Sequence, residues 1–142
     1  MIKIKDIMTT DVFILPSTQT LDTVRSLMKS RHIRHVPIVD KNNQFIGLIT
    51  HRDLLSQTVS ILADIDEREQ ADLDRNIHIM NVMKTDVVTV SPELDLCSAI
   101  LILLKNKYGC LPVVSDKKLV GIVTAADFLK LTYDLLKNTE EM

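Results

Sequence analysis

Several things are scarce in this chain of 142 residues, and each scarcity closes a door. There is no tryptophan, and only three phenylalanines and two tyrosines. Stacking platforms for single-stranded nucleic acid are correspondingly few. Cysteine occurs twice, as Cys97 and Cys110. Two thiols in one half of the chain read as reduced core residues, not a disulfide framework. Glycine and proline total seven residues, too few for a low-complexity or disordered chain. The net charge is only -2, so no bulk field recruits nucleic acid or an anionic membrane. The longest purely apolar run, Ala99 to Leu104, is far too short to cross a bilayer. Lys3, Lys5 and Asp6 interrupt any apolar segment of a secretory signal, so a cytoplasmic location is expected. No Cys-x-x-Cys, His-Glu-x-x-His, EF-hand loop, Gly-x-Ser-x-Gly or phosphate-binding glycine loop occurs. No catalytic residue and no metal ligand can be named.

What is present is a pattern written twice. Pro37-Ile38-Val39 followed by Gly47-Leu48-Ile49-Thr50-His51-Arg52-Asp53 returns as Pro112-Val113-Val114 followed by Gly121-Ile122-Val123-Thr124-Ala125-Ala126-Asp127. Upstream, Met8, Thr10, Asp11, Val12 and Leu21 recur 75 positions later as Met83, Thr85, Asp86, Val87 and Leu96. After the proline the offset falls to 74, one turn residue having been lost. The chain, 46% hydrophobic, has the material for a sizeable core.

Each copy reads as strand, helix, hairpin, helix. In the first, the expected strand is Val12 to Leu15, and Thr20 is placed to cap a helix from Leu21 to Arg31. Val36 to Val39 and Phe45 to Thr50 form the hairpin around Asp40-Lys41-Asn42-Asn43, and a helix runs from His51 to Leu62. In the second, the strand is Val87 to Val90 and the helix Leu94 to Lys105. The hairpin is Leu111 to Val114 with Leu119 to Thr124, and the last helix runs from Ala125 to Lys137. The helix at 94–105 is apolar nearly all round, the mark of burial on more than one side. Self-association could supply the second side. Residues 1–62 and 79–142 are thus the repeats, and 63–78 a charged connector. That connector reads as a solvated helix, with a docking surface as the alternative.

The doubled pattern resembles the cystathionine-β-synthase (CBS) domain, and the whole chain resembles one tandem pair, often called a Bateman module. The resemblance rests on Asp6-Ile7-Met8-Thr9-Thr10-Asp11-Val12, Val36-Pro37-Ile38-Val39 and Gly47-x-x-Thr50-x-x-Asp53, with their second copies. It implies an α/β fold of the α+β type, two β-α-β-β-α repeats with approximate internal two-fold symmetry. It also implies regulatory binding of AMP, ADP, ATP or S-adenosylmethionine in a cleft between repeats. A disc-shaped homodimer is implied as well, and with no catalytic domain attached, the signal is expected to pass to a separate regulated protein or to another copy of the chain. No cofactor is required, although a bound nucleotide could bring Mg2+. The alternative is a structural or dimerisation module whose ligand sites have partly decayed.

Carried over residue by residue, Asp53 and Asp127 would accept hydrogen bonds from ribose hydroxyls, as acidic residues do in dinucleotide folds. Thr50 and Thr124 would meet a sugar or phosphate oxygen. Val12 with Val36-Pro37, and Val87 with Leu111-Pro112, would supply apolar walls and strand backbone to adenine. Thr-x-x-Asp is equally a helix capping pattern, and one residue can serve both ends. Gly47 and Gly121 could serve only tight packing or a bulge. The copies differ in one respect. Arg34, His35, His51 and Arg52 stand where the second copy has Gly109, Cys110, Ala125 and Ala126. One cationic phosphate pocket is therefore expected, not two, with the guanidinium groups as bidentate partners and the imidazoles contributing when protonated. A solvated basic surface is the competing reading, and contact with RNA a remoter one. Cys97 is expected in the core and Cys110 near the cleft.

Overall fold

The two hairpins show how local chemistry sets the frame. In the computed structural model, which describes residues 1–57, 65–106 and 109–140, β2 (His35–Val39) pairs antiparallel with β3 (Phe45–Thr50). Asp40 Oδ1 accepts from the backbone of Asn42 (2.8 Å) and Gln44 (2.9 Å), and Asn43 adopts a left-handed φ of 62°. The second hairpin, β4 (Cys110–Ser115) with β5 (Lys118–Thr124), turns more tightly. Its two linking residues, Asp116 and Lys117, both have positive φ, 51° and 68°, as the twist of a two-residue hairpin requires. This shorter turn is the residue missing from the second copy.

The expected strand at Val12 to Leu15 shrinks to β1 (Leu15–Pro16), parallel to β2. The expected strand at Val87 to Val90 shrinks to one bridge, Val90 with Val113. In each, pairing survives only at the C-terminal end of the expected strand, at Leu15 in the first copy and Val90 in the second. The helices are α1 (Leu21–Arg31), α2 (His51–Ser56), α3 (Glu67–Asp74), α4 (Leu96–Lys105) and α5 (Ala125–Glu140). The expected continuation of α2 toward Leu62 lies outside the described residues, as does Tyr108. Thr20 is the residue preceding α1, yet its hydroxyl turns to Asp22 instead of a backbone amide. Helix α4 starts two residues later than Leu94, because Asp95 caps it by accepting from Ser98 N at 3.0 Å. That bond and the Ser98 hydroxyl hold the Asp95 carboxyl below its ordinary pKa.

The chain divides into two compact units, and their boundaries cross those of the sequence repeats. One holds Phe13–Val87; the other holds Met1–Val12 with Val88–Met142. Each repeat's leading segment therefore packs in the unit built on the other repeat's hairpin. In the first unit Leu21, Val24, Met28, Val36, Ile38, Ile49, Leu54 and Ile79 form the core, with Val82 and Met83 against it. In the second, Ile4, Val90, Ala99, Leu111, Val113 and Val123 form it, with Ile7 and Met8 against it.

The connector is not simply a solvated helix. On α3, Asp74 is fully buried, paired with Arg25 Nε of α1 at 2.6 Å and accepting from Gln70 Nε2 at 2.9 Å. Cys97 is exposed, contrary to its expected place in the core, because it lies on the outer side of α4. Only Ala99 of α4 is fully buried, and Leu104 is 78% exposed.

Candidate functional site

Each Thr-x-x-Asp forms a helix start, and the geometry repeats closely. Thr50 N donates to Asp53 Oδ2 at 2.8 Å, while Asp53 N donates back to Thr50 Oγ1 at 3.3 Å. Thr124 N donates to Asp127 Oδ2 at 2.8 Å. The Thr50–Asp53 pair is reciprocal and satisfies amides that no helical carbonyl can reach; in both copies the bond from the threonine amide stands where the strand ends and the helix begins. Capping consumes one oxygen of each carboxylate. The other, Oδ1, takes no part in these capping bonds.

Beside each start, a glycine receives the leading segment of the other repeat. A Cβ on Gly47 would stand 2.6 Å from Met83 Sδ and 3.0 Å from Lys84 O; on Gly121, 2.7 Å from Met8 Sδ and 3.0 Å from Thr9 O. The approach is fixed by paired backbone bonds, Leu48 with Lys84 (2.9 and 2.8 Å) and Ile122 with Thr9 (2.9 and 2.9 Å). Both glycines also adjoin the register shift of their hairpin. They serve close packing and a bulge together. The repeated Met and Gly of the sequence pattern are thus one contact, made twice.

The leading segment also brings a side chain to each aspartate. Lys84 Nζ lies 3.1 Å from Asp53 Oδ1. The Thr9 hydroxyl lies 3.4 Å from Asp127 Oδ1. Neither residue was singled out by sequence reasoning, although the offset of 75 makes them counterparts.

The four basic residues gather at one end of the β2–β3 hairpin. His35 is opposite Thr50, and His51 N donates to Arg34 O at 2.8 Å. Arg34 and Arg52 are exposed and form no ion pair with a described residue. A cavity of about 710 Å3 on α1 and α3 is lined in part by Arg34, His51 and Leu54; Thr50, Arg52 and Asp53 are not in its wall. At the matching end of the other hairpin, Ala125 N donates to Gly109 O at 3.3 Å. Gly109 has φ of 71°, so the position matching Arg34 holds a backbone that disfavours any side chain.

The expected adenine walls divide in two. Val36, Pro37, Leu111 and Pro112 are buried, with Val36 and Leu111 inside the two cores, whereas Val12 and Val87 are half-buried. Cys110 is enclosed in β4, and burial pushes its thiol up to about 12, which removes it as a nucleophile near neutral pH. Among the described residues no cluster of His, Cys, Asp and Glu could hold a metal ion, and no helix is long and apolar enough to cross a membrane.

The model of the CBS domain family matches residues 4–59 and 79–134. A crystal structure of a Vibrio cholerae protein provisionally named for acetoin utilization, AcuB, is 39% identical, with a TM-score of 0.81 over 100% of this chain and 98% of that one. Two others share the fold. CBSX2 of Arabidopsis thaliana in complex with AMP is 22% identical, with a TM-score of 0.78 over 94% of this chain and 97% of that one. The CBS domain pair of protein MJ0100 in complex with 5-methylthioadenosine and S-adenosyl-L-methionine is 24% identical, with a TM-score of 0.75 and the same coverage, 94% and 97%. The chain spans between 21% and 93% of the length of the first curated relatives it matches; at the low end is the inosine-5'-monophosphate dehydrogenase of Thermoplasma acidophilum.

Proposed function

This chain belongs to the CBS domain family as a tandem pair of such domains, and from that premise we propose that it is a regulatory module. It binds an adenosine-containing ligand, AMP, ADP, ATP or S-adenosylmethionine, and relays occupancy to a partner protein without catalysing a reaction itself. One observation carries the reading. Each unit presents a carboxylate with one oxygen fixed by a capping amide at 2.8 Å and a second oxygen that the cap does not use. An oriented carboxylate is what two vicinal ribose hydroxyls need. The folds that bind AMP and S-adenosyl-L-methionine in CBSX2 and MJ0100 match this chain over nearly its full length.

Arg34 and Arg52 serve the phosphate, aided by His35 and His51. The strand ends at Val36-Pro37 and Leu111-Pro112, with Val12 and Val87, serve the base. The exposed apolar side chains of α4 and α5, Leu101, Leu104, Leu129 and Tyr133, support a homodimer. They also favour a second reading, a dimerisation module with spent sites.

Calorimetric titration with AMP separates the two. The sensing reading expects saturable binding, a raised melting temperature, and affinity reduced about tenfold or more by Arg34→Ala, the scale of one lost charge-assisted contact. A stable dimer that binds no adenosine compound at millimolar concentration would leave only the second reading.

A further inference from the structure

The two aspartates are not equally open. In the unit holding the β2–β3 hairpin, Asp53 Oδ2 accepts from Thr50 N at 2.8 Å and Thr50 Oγ1 at 2.9 Å, and Oδ1 faces the Lys84 ammonium at 3.1 Å. Both oxygens are held by good donors. In the other unit, Asp127 Oδ2 accepts from Thr124 N at 2.8 Å, but the hydroxyls of Thr124 and Thr9 each stand 3.4 Å away. Those two contacts are at the outer limit of a hydrogen bond. The backbone around the two sites is otherwise the same, Thr9 bridging Ile122 as Lys84 bridges Leu48. What differs at Oδ1 is the side chain that the leading segment brings, a lysine or a threonine.

We infer that Lys84 is a built-in competitor at the Asp53 site, so that the two nucleoside sites are ranked and Asp127 fills first. This rests on the proposed nucleoside reading. A ribose diol is neutral and offers two hydroxyl donors. The ammonium offers three donors and a full charge, and its bond to a carboxylate is the stronger. A nucleoside arriving at Asp53 must displace Lys84 or share Oδ1 with it. At Asp127 it displaces only a long contact to a threonine hydroxyl. The Lys84 side chain is 38% exposed, so the ion pair is screened and reversible. It lowers affinity by a modest factor and does not abolish the site.

The test is calorimetry on the full chain with two probes, adenosine and AMP. Adenosine has no phosphate, so loss of the lysine charge cannot act through phosphate attraction. Wild type is expected to show a tighter site removed by Asp127→Asn and a weaker one removed by Asp53→Asn. Lys84→Thr should tighten the weaker site about two- to fivefold, the range of a partly exposed ion pair. Thr9→Lys should weaken the tighter site by a similar factor. Lys84→Met keeps the side-chain stem and repeats the test should the threonine variant fold poorly. Two equal sites in wild type, or affinities unchanged in both Lys84 variants, overturn the ranking while binding of AMP keeps the nucleotide reading. Absence of binding by either probe to wild type and to both Lys84 variants overturns both.

Discussion

The unit around Asp53 and the unit around Asp127 share a scaffold and differ in what they hang on it. Both have a bulged hairpin, a methionine seated on a glycine, and an aspartate that accepts from the backbone amide of the threonine three residues before it. Among the described residues, only the first carries Arg34, His35, His51 and Arg52, an ion pair at its aspartate, and the α3 helix with its buried carboxylate. Parts of the pattern that make the fold are kept in both copies because each is needed to end a strand, start a helix or let two backbones approach. Positions that point outward from that frame are free to diverge, and it is there that the copies differ.

The sharpest way to break this comparison is Arg25→Met. It strands the buried Asp74 carboxylate and is expected to cost about 3 kcal/mol in urea unfolding, since a buried ion pair opened from one side leaves an uncompensated charge. The counterpart position, 75 residues on, is Ile100, partly exposed on α4. Ile100→Ala should cost under about 1 kcal/mol, the scale of a change at the surface. Equal costs would mean that α3 contributes nothing specific to its unit.

Next in size are Gly47→Val and Gly121→Val. Each drives carbon into a methionine sulfur and a backbone carbonyl, and overpacking of this kind costs about 1–3 kcal/mol. The two losses should match within experimental error, because the contact is the same. A large inequality would show that one methionine yields more readily and that the scaffold is less symmetric than its distances.

The smallest effect is chemical. Cys97 is exposed and Cys110 is enclosed with its thiol pushed up to about 12. At pH 8 one thiol per chain should react promptly with an aromatic disulfide reagent, and the second only on unfolding. Cys97→Ser should abolish the fast phase. Two fast thiols would mean that β4 opens in the native state.

Much of the scaffold was legible in the residues. The hairpins announced themselves through paired apolar runs, around Asp40-Lys41-Asn42-Asn43 in the first copy, and Thr-x-x-Asp marked two helix starts that are found at the expected residue. The leading strands were less legible. Val12 and Val87 have the right composition, yet the chain crosses there from one unit to the other, and of each expected strand only Leu15 or Val90 pairs. Apolar composition promised burial for Cys97 and Leu104, but a helix of ten residues has more apolar surface than one core can cover. For the site, the aspartates and the basic cluster were visible. Lys84 was not, since nothing local connects it with Asp53.

By itself the sequence determined the doubling, the hairpins, the capped helix starts and the asymmetry of charge between Arg34-His35 and Gly109-Cys110. All of these depend on neighbours within a few positions, or on a pattern compared with itself. Only the tertiary structure decided which leading segment each unit receives, why Gly47 and Gly121 must be glycine, that Asp74 is buried against Arg25, and that the leading segment brings Lys84 to Asp53 but Thr9 to Asp127. These are contacts between residues far apart in the chain. They follow from how segments pack, and no local periodicity records them.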